Sequence, residues 1–581
     1  MSPDAHPPVP GQPVPRRDPR EMPLRDMSLR DMSLLGRLTN VRGCRADLIS
    51  VLAGASAALA LPPLHILPVL LVAFPVLLAQ INAASSFTEA ARRGWWFGFG
   101  YHVVGLYWIT EAILIEAARY WWLVPIAVPG LAAVLAVFIA IPAGVAWFVA
   151  CRSSAGFAAG GSSAGFVAGR SSAGFVAGRS SAGHVAGERT RSSAAQVFAL
   201  AGGWVLGDLA RQFVATGFPW NPLGSVWALP GWFGDVMLQP AALVSVHGLT
   251  LVTVALACAP ALRWRGRGVC CLILACWIGF GLFRMSEPPP PDQNLTVVLI
   301  QGNVQQGQKW DPRLRDSVFE RYLRLTDEGV QQSVGVQQSA GIQQSAKRPR
   351  IAVWPETASP FLLDDTAGRA ISNASHGEPT LIGAVRFDTE DRPRNSLFAL
   401  TGTGAISGIY DKWHLVPFGE YQPRWAQVGI QLVQGDGFAP GPGPETLHLP
   451  DIPAVGPLIC YEAIFPGQVV NETDRPSWMV NVTNDAWFGT SAGPRQHLAA
   501  ARMRAVEEGL PLLRAANTGI TAAFDGRGHE LTRLPMEESG FRAVTLPGPW
   551  PATTFARFGL LLPGLLALGS LGLGLILGRM R

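Results

Sequence analysis

Between Leu48 and Phe87 the chain carries no Asp, Glu, Lys or Arg, and Phe558 to Gly578 are a further 21 residues free of charge. Runs of that length have no water-facing side, and about 20 apolar residues are what a helix needs to cross a bilayer. Pro62-Pro63 divides the first run into spans of about 48–64 and 66–84. Further spans are expected at about 94–114, 121–150, 195–209 (carrying Asp208), 237–262 and 269–283, and the last at 558–578. That is an α-helical membrane bundle of about eight spans. The composition agrees, with 49% hydrophobic and 15% charged residues.

The cations follow the same order. Arg92-Arg93 lies after the second span, Arg152, Arg170, Arg179, Arg189 and Arg191 after the fourth, Arg263, Arg265 and Arg267 after the sixth, and Arg579 and Arg581 after the last. Lys and Arg concentrate in cytoplasmic loops, so a cytoplasmic N-terminus puts the polar segment between the seventh and eighth spans on the far side. Buried helices of a large soluble protein would not explain that alternation. The resulting division is 1–46 as a disordered cytoplasmic extension, 47–287 as a seven-span membrane domain, 288–550 as an outer domain and 551–581 as a closing span. A nine-residue repeat at 153–188 and a Gln-Gln-Ser repeat at 330–346 read as expanded surface loops. No basic stripe interleaved with aromatics occurs, which sets nucleic acid aside as a partner.

The outer segment has short apolar runs bounded by turn residues. Strands are expected at 295–301, 351–354, 380–385, 397–410, 454–460, 478–483, 512–516, 520–524 and 542–546, and helices at 312–325 and 495–508. That pattern is α/β. Three of the strands end in polar groups: Ile-Ala-Val-Trp-Pro-Glu356, Pro-Leu-Ile-Cys460-Tyr461-Glu462 and Met-Val-Asn-Val-Thr-Asn484-Asp485. A fourth runs from Gly408 to Asp411-Lys412. Adjacent strands of one sheet would bring these ends into one crevice. Cys460 is the only cysteine after Cys276, so it has no disulfide partner in its own domain. A thiol with an ordinary pKa of about 8.5 needs a base or a nearby cation to attack at neutral pH. Glu356 can take its proton, and Lys412 can stabilise the oxyanion on an attacked carbonyl.

Each residue also has a plainer reading. Glu356 and Glu420 could be solvated strand-end charges, Lys412 a surface ion-pair partner, and Trp487 and Phe488 core. His414 and His497 read as hydrogen-bonded structural residues, and no spacing indicates a metal.

Trp-Pro-Glu356, Lys412 ahead of His-Leu-Val-Pro-Phe-Gly-Glu420-Tyr, and Ile-Cys460-Tyr461-Glu462 resemble the Glu-Lys-Cys triad of the carbon–nitrogen hydrolase (nitrilase) superfamily. Spans on both sides of such a domain, with Thr-Asn484-Asp485-Ala-Trp487-Phe488-Gly, Gln496-His497-Leu498 and Arg514-Ala-Ala-Asn517-Thr-Gly, resemble the apolipoprotein N-acyltransferase family of Gram-negative bacteria. The resemblance implies a periplasmic αββα sandwich on an eight-helix base in the bacterial inner membrane, with no cofactor. It implies transfer of the sn-1 acyl chain of a phospholipid, typically phosphatidylethanolamine, first to Cys460. The chain then passes to the α-amine of the diacylglyceryl-cysteine of an apolipoprotein. Glu356 would be the base and Lys412 the oxyanion partner, with Glu420 orienting the lysine or the incoming group and Tyr461 and Glu462 shaping the site. Apart from the resemblance, the outer loop with Trp220 reads either as an interfacial anchor or as the wall of a lipid-sized entrance, and Trp487 and Phe488 as lipid contacts where they are not core. The alternatives are a membrane-tethered amidase using water, and a transporter whose outer domain only binds solute. Glu111, Glu116 and Asp208 lie near span ends rather than as paired charges along a pathway, which is against the transporter.

Overall fold

Every expected apolar stretch is occupied by helix in the computed structural model, which describes residues 41–115, 117–159, 193–309, 311–339, 348–423 and 437–580. The first membrane-domain helices are α1 (Cys44–Ala57), α2 (Leu70–Ala83), α3 (Phe87–Gly105), α4 (Val124–Leu135) and α5 (Val137–Ala159). After them come α6 (Ala194–Phe213), α7 (Ala241–Ala257) and α8 (Trp264–Ser286). Four helical stretches are long and apolar enough to cross a membrane: Ala117–Cys151, Ala241–Ala261, Trp264–Ser286 and Leu561–Arg579. Of the other expected spans, α1 has only 14 residues, α3 starts with Glu89, Arg92 and Arg93, and α6 carries a buried Asp208–Arg211 pair at 3.1 Å. Length and composition therefore support four spans, not the full eight.

The helices approach closely through glycine. A Cβ on Gly100 of α3 would lie 2.1 Å from the Val51 carbonyl oxygen of α1, and one on Gly202 of α6 would lie 2.5 Å from that of Ala567. Small residues at such crossings let backbones pack where water supplies no driving force. The outward faces keep bare Leu272, Phe283, Leu561, Leu565, Leu568 and Ile576, an apolar belt suited to lipid.

The outer segment folds as two six-stranded sheets. The first has the order β12-β1-β2-β3-β4-β5, with β1 Thr296–Gln301, β2 Arg350–Val353, β3 Thr380–Phe387, β4 Pro393–Leu400, β5 Ile406–Asp411 and β12 Gly540–Thr545. The second is β11-β10-β9-β8-β7-β6, from β6 Leu447–Leu449, β7 Ile452–Ile459, β8 Trp478–Thr483, β9 Leu512–Ala516, β10 Thr521–Phe524 and β11 Glu530–Leu534. Side-chain alternation along the strands feeds three layers. Val297, Leu299 and Val353 meet Val455, Ile459 and Val480 between the sheets. Val298 and Ile300 pack outward on Tyr322 and Leu325 of helix α9 (Arg315–Ser339). Leu458 and Met479 pack on Leu498, Ala501 and Ala505 of helix α10 (Gly493–Glu508). This is an αββα sandwich.

Several expectations need correction. The single strand expected at 397–410 is the β4–β5 hairpin, turned at Thr401–Gly404 where Gly404 has φ 83°. Strands β6 and β11 and the helix Asp365–Ala374 were not foreseen. The helix starts where Asp364 accepts the backbone N–H groups of Thr366 and Ala367. Of the two repeats, 153–159 continue α5 and 330–339 continue α9, so the helices extend into both tracts. Residues 160–188 and 340–346, like residues 1–40 of the N-terminal extension, lie outside the described residues.

Helix α10 also faces the membrane helices. Ala499, Met503 and Val506 pack with Met237, Val246, Leu249 and Trp277. At this seam Ser245 interrupts α7 with φ 61°, and Glu507 caps the break, accepting Ser245 Oγ at 2.7 Å and the Val246 N–H at 2.8 Å. Arg502–Asp235 (2.5 Å) and Arg527–Glu287 (2.6 Å) tie the same two layers. Arg502–Asp235 is buried, and a pair like it is weak evidence for added stability; Arg527–Glu287 is half open to solvent on the Glu287 side.

Candidate active site

Four strand ends converge, but from two sheets rather than the one expected from sequence. Glu356 follows β2 and Lys412 follows β5 in the first sheet, where β3 and β4 lie between them. Cys460 and Asn484 follow the parallel neighbours β7 and β8 of the second. The sheets meet where the Asn484 N–H donates to Glu356 Oε2 at 2.8 Å.

Lys412 Nζ donates to Glu356 Oε1 at 3.0 Å and to Glu420 Oε1 at 2.9 Å. Asn395 Nδ2 bridges the same two oxygens at 2.7 and 3.0 Å, and Glu420 Oε2 takes the Val416 N–H at 2.8 Å. All three charged groups are withdrawn from water, Lys412 almost wholly. Burial alone would push the Glu356 carboxyl up, but Lys412, Lys309 and the bonds from Lys412 and Asn395 hold it below its ordinary value. Burial likewise pulls Lys412 down, and Glu356 and Glu420 outweigh it and keep the ammonium charged. Two carboxylates around one lysine thus leave a fixed cation and an ionised base.

Cys460 is buried beside them in a left-handed backbone conformation, φ 51°. Non-glycine residues are strained there, and its neighbours hold the turn. Glu462 accepts the backbone N–H groups of Ile459 (2.6 Å) and Trp413 (2.7 Å) and the Tyr410 hydroxyl (3.0 Å). It therefore fastens the residue before Cys460 to the residue after Lys412, across the sheets. Burial raises the Glu462 carboxyl to about 7. From the other side, His497 places Nε2 at 2.9 Å from the Cys460 carbonyl oxygen and Nδ1 at 2.9 Å from Asp485 Oδ1, while Arg514 holds Asp485 Oδ2 at 2.7 Å. Both histidine contacts are hydrogen bonds only when the ring carries two protons. Burial and Arg514 act against that charge and Asp485 acts for it. The Cys460 thiol is pushed well up by burial and by Glu356, with Lys412 opposing. At rest it therefore keeps its proton.

A wall from the membrane bundle closes the site. Tyr461 donates to the Gly217 carbonyl at 3.0 Å, and Gln212 Nε2 donates to that of Pro466 at 2.9 Å. Trp220 is buried, lies tilted at 40° to the rings of Trp108 (4.5 Å between centroids) and His497 (5.6 Å), and donates to Gln496 Oε1 at 2.9 Å. Phe488 lies 4.6 Å from Trp108 and 5.9 Å from Trp220. Trp487 is not part of this cluster and is 39% exposed.

Of the residues expected from sequence, Glu356, Lys412, Cys460, Glu420, Tyr461 and Glu462 come together, Trp220 and Phe488 wall them, and Trp487 stands apart. His414, read as structural, is held by Gln468 at 2.7 Å. Sequence reasoning missed Asn395, Lys309 and Trp108. Asn395 lies between Arg394 and Ser396 at the polar start of β4, where nothing in the sequence sets it apart. Lys309 Nζ donates to the Glu356 carbonyl at 3.1 Å and to the Thr357 hydroxyl, and burial lowers it to about 8.

A buried thiol, carboxylate and ammonium brought together in this way can serve as nucleophile, proton acceptor and oxyanion partner. The fold and site define a thiol-dependent carbon–nitrogen hydrolase-type acyl-transfer centre, built against membrane helices. A carbon-nitrogen hydrolase family model matches residues 350–546, and one for the apolipoprotein N-acyltransferase N-terminal domain matches residues 53–259. An apolipoprotein N-acyltransferase of Rhodopseudomonas palustris is 35% identical over 89% of this chain and 92% of its own length. One from Sinorhizobium medicae is 35% identical over 90% and 93%. A carbon-nitrogen hydrolase structure from Helicobacter pylori G27 overlays with a TM-score of 0.33 at 12% identity, over 43% of this chain and 88% of that one. The chain belongs to the apolipoprotein N-acyltransferase family, and it is an enzyme of the acyltransferase class.

Proposed function

We propose that the enzyme moves a fatty acyl chain from the sn-1 ester of a membrane phospholipid, phosphatidylethanolamine foremost, through a Cys460 thioester. The acceptor is the α-amine of S-diacylglyceryl-cysteine at the start of an apolipoprotein, and this is the last step of lipoprotein maturation. The observation that carries this reading is the Glu356–Lys412 pair at 3.0 Å beside Cys460, next to an aromatic cluster of Trp108, Trp220, Phe488 and Tyr461.

In the first half-reaction Glu356 takes the Cys460 proton as sulfur attacks the ester carbonyl. Lys412 stabilises the oxyanion, the C–O bond breaks, and Glu356 returns the proton to the departing lysophospholipid. In the second, the amine attacks the thioester, gives its proton to Glu356, and the leaving sulfur recovers it. Glu420 keeps Lys412 aimed, Glu462 keeps Lys412 and Cys460 in register, and Tyr461 fastens the site to the Gly217 loop. Trp220 and Phe488 meet the lipid; Trp487, exposed nearby, would meet it at the rim.

The membrane reading goes further than helix length alone. The arginine distribution supports eight spans in a bacterial inner membrane, with 288–550 periplasmic between a seven-span domain from about residue 47 and a last span from about 551. An amidase would resolve the same thioester with water, and the apolar aromatic cluster of Trp108, Trp220 and Phe488 beside the site favours transfer.

Incubating the enzyme with phosphatidylethanolamine alone and weighing the intact protein tests the chemistry. One fatty-acyl adduct on Cys460 is expected, absent from Cys460→Ala, and discharged by a diacylated lipopeptide faster than by water. An adduct elsewhere, or transfer by the Ala variant, would overturn the assignment.

A further inference from the structure

Three membrane-length stretches that lend nothing to the aromatic wall meet beneath the sandwich: the start of α7, the end of α8 and the approach to helix α11 (Leu561–Arg579). Between them is a cavity of ≈ 330 Å³ lined by Leu243, Phe280, Arg284, Trp550, Arg557 and Phe558, with Glu287 on its rim. Arg284 makes one hydrogen bond, at 3.3 Å to the Gln239 carbonyl, and Arg557 one, at 3.2 Å to that of Ala552. Among the described residues neither guanidinium has an acidic partner. Glu287, the acid of the rim, is taken at 2.6 Å by Arg527, which lies 3.5 Å over the Trp550 ring. Glu287 and Asp525 act on Arg284 only from beyond ion-pair distance, so among the described residues neither guanidinium is in direct contact with a carboxylate where the helices leave the apolar belt. Below them the lining turns hydrocarbon-like and runs into bare Phe283, Phe558 and Leu561.

We propose that this cleft holds one anionic phospholipid, distinct from the acyl donor. Its phosphate lies between Arg284 and Arg557, and its chains lie against Phe280 and Phe558. Guanidinium groups pair phosphate oxygens in a planar, two-pronged fashion. Basic side chains at the bilayer surface select anionic lipid, and the ammonium of a zwitterionic headgroup would be repelled here. A lipid in this place ties the 550–558 linker to α7 and α8. The proposal rests on insertion of these helices in a bilayer and is independent of the chemistry at Cys460.

Native mass spectrometry of the full-length enzyme in detergent, titrated with phosphatidylglycerol or phosphatidylcholine, tests it. The wild type should retain phosphatidylglycerol at least tenfold more tightly than phosphatidylcholine. An Arg284→Gln/Arg557→Gln variant should lose that preference while still forming the Cys460 adduct from phosphatidylethanolamine, which shows that it is folded. Should the double variant not accumulate, Arg557→Gln alone, at the exposed rim, should weaken phosphatidylglycerol retention threefold or more. Equal retention of the two lipids by the wild type, or undiminished phosphatidylglycerol retention by the variants, would overturn the site. A wild type that prefers phosphatidylglycerol but forms no Cys460 adduct from phosphatidylethanolamine would count against the acyl-transfer reading and leave the lipid site standing.

Discussion

Cys460 keeps its proton at rest because burial and the Glu356 carboxylate both oppose a thiolate, and Lys412 offsets them only in part. On the proposed mechanism Glu356, not the sulfur, is therefore the group held in its reactive form. Glu356 is held below its ordinary 4.5 by Lys412, Lys309 and two hydrogen bonds that outweigh burial. A lowered carboxyl stabilises the fold above its unfolded value and loses that contribution as pH falls through its folded one. Lys412, raised above 10.5, contributes below that value and loses it as pH rises through its own folded value. The acid midpoint that Glu356 gives to the rate of Cys460 acyl-adduct formation should consequently lie below 4.5, apart from any step near 7 that Glu462 adds. A Glu356 midpoint at or above 4.5, identified by its loss in Glu356→Gln, would contradict the pairing. Glu356→Gln should slow the adduct by about 10²–10⁴-fold, the usual worth of a general base.

At the scale of elements, helix α10 serves two masters: one face lies on the second sheet and carries His497 to Cys460, and the other docks on α7 and α8. Glu507 is the fastening, capping the break at Ser245 while pairing with Arg504 at 3.0 Å. The nearby alternative acid, Glu508, is already held by Arg475 at 3.0 Å. Glu507→Ala strands a buried arginine and uncaps the helix, a cost of about 3–5 kcal/mol for a broken buried pair. Thermal unfolding in detergent should show the Ala variant well below Glu507→Gln, whose amide oxygen still accepts from Ser245 and Val246. Equal melting temperatures would mean that the seam does not depend on this residue. These elements were unevenly legible. Strands β8 and β9 are read from sequence residue for residue, because an apolar run between turn signals marks a strand buried on both faces. Strands β6 and β11 were missed because three to five residues of mixed polarity at a sheet edge leave no period to read.

For the whole molecule, the alternation of arginine-rich loops predicts which side each segment faces. On a background without other reactive cysteines, Asp292→Cys should react with a membrane-impermeant maleimide in intact spheroplasts. Arg265→Cys should react only after the membrane is opened. The reverse pattern would place the site in the cytoplasm and remove its lipoprotein substrate.

Charge-free runs, arginine spacing and polar strand ends are local properties, so the sequence alone determined that apolar helices and an α/β domain belong to one chain and singled out Glu356, Lys412 and Cys460 as candidates. Which strand ends meet is not local. Glu356 and Lys412 reach Cys460 from an opposing sheet, His497 reaches the Cys460 carbonyl from a helix 37 residues on, and Trp220 closes the cleft from a membrane loop. Those meetings depend on how two sheets and a helical base pack their apolar faces, a long-range choice that no run of neighbouring residues encodes.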